Sequence, residues 1–167
     1  SQEAVPILAI DSVLNQRYRI VQILGQGAMG VVYEVRRLSD GKRLAAKVLS
    51  GHTRRKELAR FAREGQLLAR LNHPNLVRIV DVDLIDGRLA YLVMELVEGG
   101  TLAGRQARYG QLVFAIPVIR QIASALAQVH AEGIVHRDLK PANILLAAGK
   151  TIEVKLADFG VSALLPT

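Results

Sequence analysis

The chain has 167 residues, half of them hydrophobic, and a formal net charge of +7. That length can bury a hydrophobic core, and the composition excludes an intrinsically disordered segment. The sequence contains no cysteine, which excludes a disulfide framework and thiolate metal sites and is typical of a cytoplasmic location.

We predict neither a membrane segment nor a nucleic-acid-binding surface in this chain. Charged residues interrupt its apolar stretches before they reach the roughly 20 residues that cross a bilayer, and residues 1–11 lack the basic start of a signal peptide. The densest basic run, Arg54 to Arg63, is typical of a solvated helix face, and 4% aromatic residues provide few stacking platforms for bases. Basic patches also bind acidic or phosphorylated partners.

The first half of the chain predicts strands and one helix. Two β-rich runs, Tyr18–Leu24 and Val31–Arg37, flank a glycine-rich loop, and Asp40-Gly41 predicts a hairpin turn after them. Apolar residues at helical spacing predict a helix over Arg54–Leu71, which His73-Pro74-Asn75 ends. The other predicted strands are Leu44–Leu49, Leu76–Val82 and Leu89–Glu95.

After Gly99-Gly100 the pattern changes to a long helix followed by short strands. A helix is predicted over Val113–His130, with Pro117 in its early turns, where proline is tolerated. Short apolar runs follow at Ile134-Val135, Ile144–Leu146 and Val154–Leu156. The helix carries an apolar stripe that needs a partner to bury it, formed by Ile119, Ile122, Ala123, Leu126 and Val129.

The glycine-rich loop, Gly25-Gln26-Gly27-Ala28-Met29-Gly30, matches the pattern G-x-G-x-x-G. A dinucleotide-binding loop would need a helix after it, but Val31-Val32-Tyr33 continues as a strand. A Walker A loop would need a lysine after the last glycine, where Val31 stands. The remaining interpretation is a hairpin whose backbone N–H groups can close over phosphates.

Lys47 lies inside an apolar strand, and Glu64 lies on the apolar stripe of the first predicted helix, three residues after Phe61. A lysine at a strand edge could simply reach water. A carboxylate on the apolar stripe, however, would be costly to bury without a partner. We therefore predict an ion pair of Lys47 with Glu64 that holds the lysine against phosphate oxygens.

Two polar loops complete the set of motifs. The first is His136-Arg137-Asp138-Leu139-Lys140-Pro141-Ala142-Asn143, and the second is Asp158-Phe159-Gly160, directly after a predicted strand. An aspartate in a turn is usually a cap, so neither motif is specific alone. Their occurrence together with the glycine loop and Lys47, in this order, is hard to reach by chance.

With these motifs the sequence resembles the eukaryotic-type protein kinase family, and in particular its bacterial members, from about Tyr18 to Gly160. The resemblance implies an α+β, protein-kinase-like fold: an antiparallel β-sheet lobe with one main helix, a hinge, and the start of a mainly helical lobe. The expected division is residues 1–17 as an N-terminal extension, 18–94 as the sheet lobe, 95–100 as the hinge and 101–167 as part of the second lobe.

The resemblance also implies a role for each matching residue, with ATP and Mg²⁺ as ligands and Ser/Thr residues of proteins as acceptors. Asp138 is expected to orient the acceptor hydroxyl and take its proton, Lys140 to steady the γ-phosphate, Lys47 to hold the α- and β-phosphates, and Glu64 to orient Lys47. The expected nucleotide-binding residues are Leu24, Gly25, Gln26, Gly27, Ala28, Gly30, Val32, Ala45, Lys47, Met94, Glu95, Val97, Asn143, Leu145 and Asp158. Asn143 and Asp158 are the expected metal ligands.

Three further residues receive interpretations from the resemblance. Lys140 marks the Ser/Thr branch of the family. His136 is expected to pack structurally behind its loop instead of acting as a base. Arg137, directly before the catalytic aspartate, implies control by a phosphorylated activation loop.

The resemblance covers the chain to Gly160, and the chain itself ends seven residues later, at Thr167. We therefore expect a catalytic domain truncated after its Asp-Phe-Gly motif, from a parent protein that could be membrane-anchored elsewhere. A second copy or another partner could cover the unfinished lobe, or the chain could be a minimal natural protein. The alternative function is a nucleotide-binding, pseudokinase-like interaction module that transfers no phosphate.

Overall fold

The computed structural model describes residues 7–27, 30–49, 65–66, 68–87 and 89–158. The described chain forms two compact units. The first unit contains the described residues up to Arg70 together with Ile79–Leu96, and the second contains Leu71–Arg78 and the described residues from Val97 onwards. The predicted α+β class is confirmed, with the sheet in the first unit and the long helix in the second.

The first unit is built on a six-stranded antiparallel sheet in the order β1-β2-β3-β4-β6-β5. Its strands are β1 (Val13–Leu14), β2 (Tyr18–Gly27), β3 (Gly30–Arg37), β4 (Arg43–Leu49), β5 (Ile79–Ile85) and β6 (Leu89–Glu95). The strand predictions hold to within a few residues, except that β5 begins at Ile79 instead of Leu76.

One face of this sheet carries the core of the first unit. Because successive side chains in a strand point to opposite faces, Tyr33 and Val35 of β3 lie beside Ala46 and Leu44 of β4, and all four are fully buried. The N-terminal residues cover part of this face: Leu14 is buried, and the backbone N–H of Leu8 donates to the Tyr33 hydroxyl at 3.0 Å.

The two edges of the sheet are joined by polar side chains. Arg17, in the turn before β2, forms ion pairs with Asp81 and Asp83 of β5. The Asn15 amide donates to Asp83 and to the Leu84 carbonyl, both at 2.9 Å, and the Tyr18 hydroxyl donates to Asp81 at 2.8 Å. This group, which we call the edge latch, brings β1 and β5 together although they are the outermost strands, so their edges are protected from pairing with other chains.

The helix predicted over Arg54–Leu71 falls mostly outside the described residues. Its described residues, 65–66 and 68–70, are helical, and Leu71 lies just after the helix. Gly65 allows this helix to approach the sheet closely, because a Cβ on Gly65 would lie 2.6 Å from a methyl group of Val82.

The second unit contains the helix α1 (Leu112–Ala131), the strand pair β7 (Ile144–Leu146) and β8 (Val154–Leu156), and two short 3-10 segments at Leu102–Arg108 and Pro141–Asn143. The buried side of α1 consists of Phe114, Val118, Ala125 and Val129. Of the predicted stripe, Val129 is buried and Ile122 and Leu126 are half-buried, whereas Ile119 is 64% exposed. No strand forms at Ile134-Val135.

The helix α1 bears on the prediction that charge interrupts every apolar stretch before it could cross a membrane, and Arg120 lies within this helix. It has 20 residues and a mean hydropathy of 1.7 over an 18-residue window, so by length and composition it meets that criterion. Core helices of globular proteins meet it too, and Gln121 in the middle of α1 makes polar contacts with three residues of the second unit.

The segment that breaks the first helix, His73-Pro74-Asn75, belongs to the second unit. The Asn75 amide donates to the Val154 carbonyl at 2.9 Å and to Gln121 at 2.8 Å, and the backbone carbonyl of Asn75 accepts from Leu156. The His73 ring contacts the Ser124 hydroxyl at 3.0 Å. Asn75 thus ties β8 to α1, a role that its sequence context did not predict.

Candidate active site

The glycine loop is the turn of the β2–β3 hairpin. Gly25 lies opposite Val32 and Gly27 lies opposite Gly30, with a shift in register before Gly25. Gln26 is exposed and Leu24 is 46% exposed, whereas Ala28 lies outside the described residues. The hairpin predicted in place of a strand–loop–helix arrangement is confirmed.

The three glycines of the loop differ in whether packing and backbone conformation require a glycine. Gly30 has φ = +138°, and a Cβ there would lie 2.0 Å from the Val48 carbonyl oxygen, so packing of β3 against β4 requires it. At Gly25 and Gly27 a Cβ would meet nothing within 4 Å, and neither has a positive φ. Neither the backbone conformation nor packing requires these two glycines, which fits a loop that a phosphate group approaches closely.

Lys47 and the predicted adenine-facing residues share one face of the sheet. Lys47 lies opposite Val32, and two residues earlier on β4, Ala45 lies opposite Met94 of β6. Lys47 is only 6% exposed and Ala45 is 7% exposed, while Val32 and Met94 are half-buried. Register alone therefore brings these four together. Glu64 lies outside the described residues, so its pairing with Lys47 stays a prediction.

The predicted hinge begins where β6 ends, at Glu95, and the chain passes from the first unit to the second between Leu96 and Val97. Val97 has no regular secondary structure. Gly99 then packs so closely on β7 that a Cβ would lie 2.1 Å from the Leu146 carbonyl oxygen, and Gly100 has φ = +81°. The Gly100 carbonyl accepts from the Leu146 N–H at 2.9 Å, which explains why two glycines stand there.

In the second unit, three side chains of the predicted catalytic loop contact one another. The Lys140 ammonium lies 3.0 Å from Oδ2 of Asp138. The Asn143 amide nitrogen donates to the Asp138 carbonyl at 2.8 Å and to Oδ2 of Asp138 at 3.0 Å. Asn143 is buried, Asp138 is about one-third exposed and Lys140 is half-exposed. This arrangement fixes one carboxylate oxygen and leaves Oδ1 to accept a proton.

These contacts determine the protonation state of Asp138. The hydrogen bond from Lys140 lowers the pKa of Asp138 below its ordinary value, the hydrogen bond from Asn143 adds to this, and burial opposes both. Asp138 is therefore ionised at neutral pH. A carboxylate held in this state can orient a hydroxyl group and accept its proton when the hydroxyl becomes acidic during transfer.

His136 connects this loop to the end of β8. It is 2% exposed; its Nδ1 accepts from the Asp138 N–H at 3.2 Å, so its Nε2 donates to the Ala157 carbonyl at 2.9 Å. Both ring nitrogens are thus engaged with backbone atoms, which supports the structural role predicted for His136. The imidazole thus links the backbone of Asp138 to that of Ala157, the residue before Asp158.

The predicted metal ligands, Asn143 and Asp158, are brought close by the same segment. The Ala157 N–H donates to the Asn143 carbonyl at 2.8 Å, and Ala157 directly precedes Asp158. Because the Asn143 amide hydrogens go to Asp138, its Oδ1 is the atom suited to a cation. A carboxylate and an amide oxygen are the donor types that Mg²⁺ prefers, so these residues fit that ion. Leu145, the expected floor of the adenine, is half-buried on β7.

Two backbone features of the site were not predicted. Arg137 has φ = +63° and Asp158 has φ = +58°, both in the left-handed region that non-glycine residues seldom adopt. Each lies directly beside a contact made by His136, to Asp138 on one side and to Ala157 on the other. Such backbone strain concentrates at functional sites, and no side-chain pattern in the sequence reports it.

Comparison with known proteins places these features in a family. Residues 18–167 match the protein kinase domain. The serine/threonine-protein kinase pkn2 of Myxococcus xanthus is 40% identical over 169 residues, covering 95% of this chain and 20% of that protein. The serine/threonine-protein kinase PknA of Mycobacterium tuberculosis is 39% identical over 157 residues, covering 89% of this chain and 36% of that protein.

Solved structures give the same result. The PknI kinase domain of Mycobacterium tuberculosis, as a double mutant, superposes with a TM-score of 0.82 at 31% identity, covering 93% of this chain and 64% of that one. The chain thus spans less than two thirds of these relatives. With a kinase-domain match from Tyr18 to the last residue, and with the motifs arranged as described, the chain belongs to the protein kinase family.

Proposed function

We propose that this chain carries the nucleotide-handling part of a serine/threonine protein kinase. In the proposed reaction, the hydroxyl oxygen of a protein Ser or Thr attacks the γ-phosphorus of ATP. The bond from that phosphorus to the bridging oxygen of the β-phosphate breaks, and ADP leaves. The hydroxyl proton passes to Asp138 and then to solvent.

The hydrogen-bonded cluster of Asp138, Lys140 and Asn143 is the observation that carries this proposal. Lys140 contacts the same carboxylate oxygen as Asn143, so it places a positive charge beside the acceptor hydroxyl. Phosphoryl transfer demands mainly positioning and neutralisation of charge, and this cluster is built for both. The identity of Lys140 supports Ser/Thr acceptors, as do the names of the relatives.

We assign nucleotide binding to residues of each unit by the same reasoning. Lys47, almost fully buried on β4, supplies one positive charge for the α- and β-phosphates, and Val32, Ala45 and Met94 supply an apolar surface for adenine. Asn143 and Asp158 would hold Mg²⁺, which when bound neutralises phosphate charge. The alternative of an interaction module without phosphotransfer is not favoured, because the expected proton acceptor, Asp138, and the expected metal ligands, Asn143 and Asp158, are all present.

The proposal is tested by phosphate transfer from labelled ATP to a generic Ser/Thr substrate such as myelin basic protein, with the protein carrying Asp138→Asn. The change keeps the shape of the side chain and removes the proton acceptor, so we expect a loss of at least about a thousandfold in transfer rate.

The matched control is Glu153→Gln, which removes one negative charge from the exposed surface of the same unit. It should transfer phosphate at the rate of the unchanged protein. Equal rates for Asp138→Asn and Glu153→Gln would show that Asp138 is not the proton acceptor.

A further inference from the structure

Three arginines form a row across neighbouring strands of the first unit. Arg19 of β2 lies directly opposite Arg36 of β3, and Arg36 lies directly opposite Arg43 of β4. Residues in register share a face of the sheet, and all three side chains are exposed. We call Arg19, Arg36 and Arg43 the arginine row.

One member of the row, Arg43, bonds directly to a neighbouring side chain, and Arg36 adds a weaker electrostatic attraction to the same group. Glu34, a buried carboxylate two residues before Arg36, accepts from Nε of Arg43 at 2.7 Å and from the Gln22 amide at 2.7 Å. These bonds satisfy both oxygens of Glu34. In the part of the chain that the structure describes, Arg19 and Arg36 form no ion pair. Like charges directly opposite each other destabilise a sheet, so the direct opposition of Arg19 and Arg36 is not explained by any ion pair of the described residues.

The row is distinct from the proposed nucleotide site. Arg43 and Lys47 are on the same strand and the same face but four residues apart, which is about 13 Å along a strand. Phosphates held by Lys47 therefore do not reach the row. A second, separate anion could bind to its positive charge.

We propose that the arginine row binds a phosphorylated Ser or Thr in an extended segment of a protein. Two opposed guanidinium groups can share the oxygens of one phosphate, each through a planar pair of N–H donors. Arg43 lies beside this pair, with its Nε bonded to Glu34. The choice of a phosphorylated protein rests on the proposed function, because a phosphorylated Ser or Thr is the product of that reaction.

Other anionic partners fit the surface less well. Single-stranded nucleic acid needs aromatic side chains for stacking, and none belongs to the row. Anionic lipid surfaces are bound by clusters of about four to eight basic residues, whereas here three arginines include one that is neutralised by Glu34. A single phosphate on a protein segment matches the size and charge of the row.

The test is fluorescence anisotropy of a labelled phosphothreonine peptide flanked by alanine and glycine, titrated with the unchanged protein, Arg19→Gln and Arg36→Gln. Each variant loses a charge-assisted hydrogen bond, so we expect about tenfold weaker binding of the peptide. The matched control is Arg120→Gln, which removes an exposed arginine from α1 and should bind as the unchanged protein does. The same peptide without phosphate should not bind.

A second readout separates this proposal from the proposed function. Lys47→Ala, expected to lose nucleotide binding, should keep its affinity for the phosphopeptide. Thermal unfolding should show Arg19→Gln at least as stable as the unchanged protein because a repulsion is removed. Equal affinity of all arginine variants, no binding of the phosphopeptide, or preferential binding of an oligonucleotide or of phosphatidylserine vesicles would overturn the proposal.

Discussion

The two units place their functional residues by different means. In the first unit, strand register puts Lys47 beside Val32 and two residues from Ala45, and hydrogen bonds of the sheet backbone hold them there. In the second, polar side chains bond to distant backbone atoms: His136 bonds to Ala157 and Asn75 bonds to Val154. The first arrangement tolerates change in most side chains, whereas the second depends on a few buried polar groups.

This difference predicts which substitutions are costly in each unit. In the sheet, a substitution should lower the free energy of unfolding most where the new side chain has no room beside the backbone. In the second unit, it should do so most where the lost side chain bonds to buried backbone groups. The edge latch is an exception within the sheet, because side chains alone join β1 to β5.

The largest expected effect is that of Gly30→Ala. The new Cβ would collide with the Val48 carbonyl at a backbone angle that alanine avoids, so we expect a loss of more than about 3 kcal/mol in the free energy of unfolding. Urea denaturation followed by circular dichroism measures it. Gly25→Ala is the control, since its Cβ meets nothing within 4 Å; a similar loss there would refute the account of the loop.

Asn75→Ala should cost about 2 to 3 kcal/mol in the second unit, because the Val154 carbonyl and Gln121 each lose a buried donor. Asn72→Ala, a nearby exposed asparagine, should change the free energy of unfolding by less than about 0.5 kcal/mol. If both substitutions lowered the free energy of unfolding by the same small amount, the stability of the second unit would not depend on Asn75.

The edge latch should contribute less, because Arg17 and Asp83 are 45% and 39% exposed and solvent screens their charges. We expect Asp83→Ala to cost about 1 kcal/mol, more than an isolated surface pair because Asn15 also loses an acceptor. A double-mutant cycle with Arg17→Ala should give a coupling energy of a few tenths of a kcal/mol. A coupling energy of zero would show that the ion pair does not hold the edges together.

The smallest effect concerns pH. Hydrogen bonds from Arg43 and Gln22 lower the pKa of Glu34 below its ordinary value of 4.5. The ionised carboxylate therefore stabilises the fold above that value, and the stabilisation is lost as the pH falls through the lowered pKa. Glu34→Gln should lower the free energy of unfolding at neutral pH, by a difference that shrinks in acid. A difference that grows in acid would contradict this assignment.

The sequence predicts the sheet well because alternation of buried and exposed residues and the turn at Asp40-Gly41 are local features. It also predicts β7 and β8 to the residue. It does not predict the edge latch, whose partners Asn15 and Leu84 are 69 residues apart, nor the link of Asn75 to Val154, 79 residues away. Such contacts depend on tertiary packing, and a lone asparagine after a helix has the same local appearance whether it caps or anchors.

The candidate site also combines features that the sequence predicts with features that it does not. The motifs identify Asp138, Lys140 and Asn143, and the structure brings these three into contact. The bond of His136 to Ala157 and the positive φ of Asp158 have no sequence pattern, because they arise from how the two loops meet.

Calorimetric titration with ATP tests directly the proposal that residues of the first unit and residues of the second are both needed for nucleotide binding. The unchanged protein should bind ATP in the presence of Mg²⁺, and Lys47→Ala in the first unit and Asp158→Asn in the second should each weaken binding at least about tenfold. Asp138→Asn should bind as the unchanged protein does. No heat of binding for the folded, unchanged protein, or full binding by Lys47→Ala or Asp158→Asn, would contradict the account.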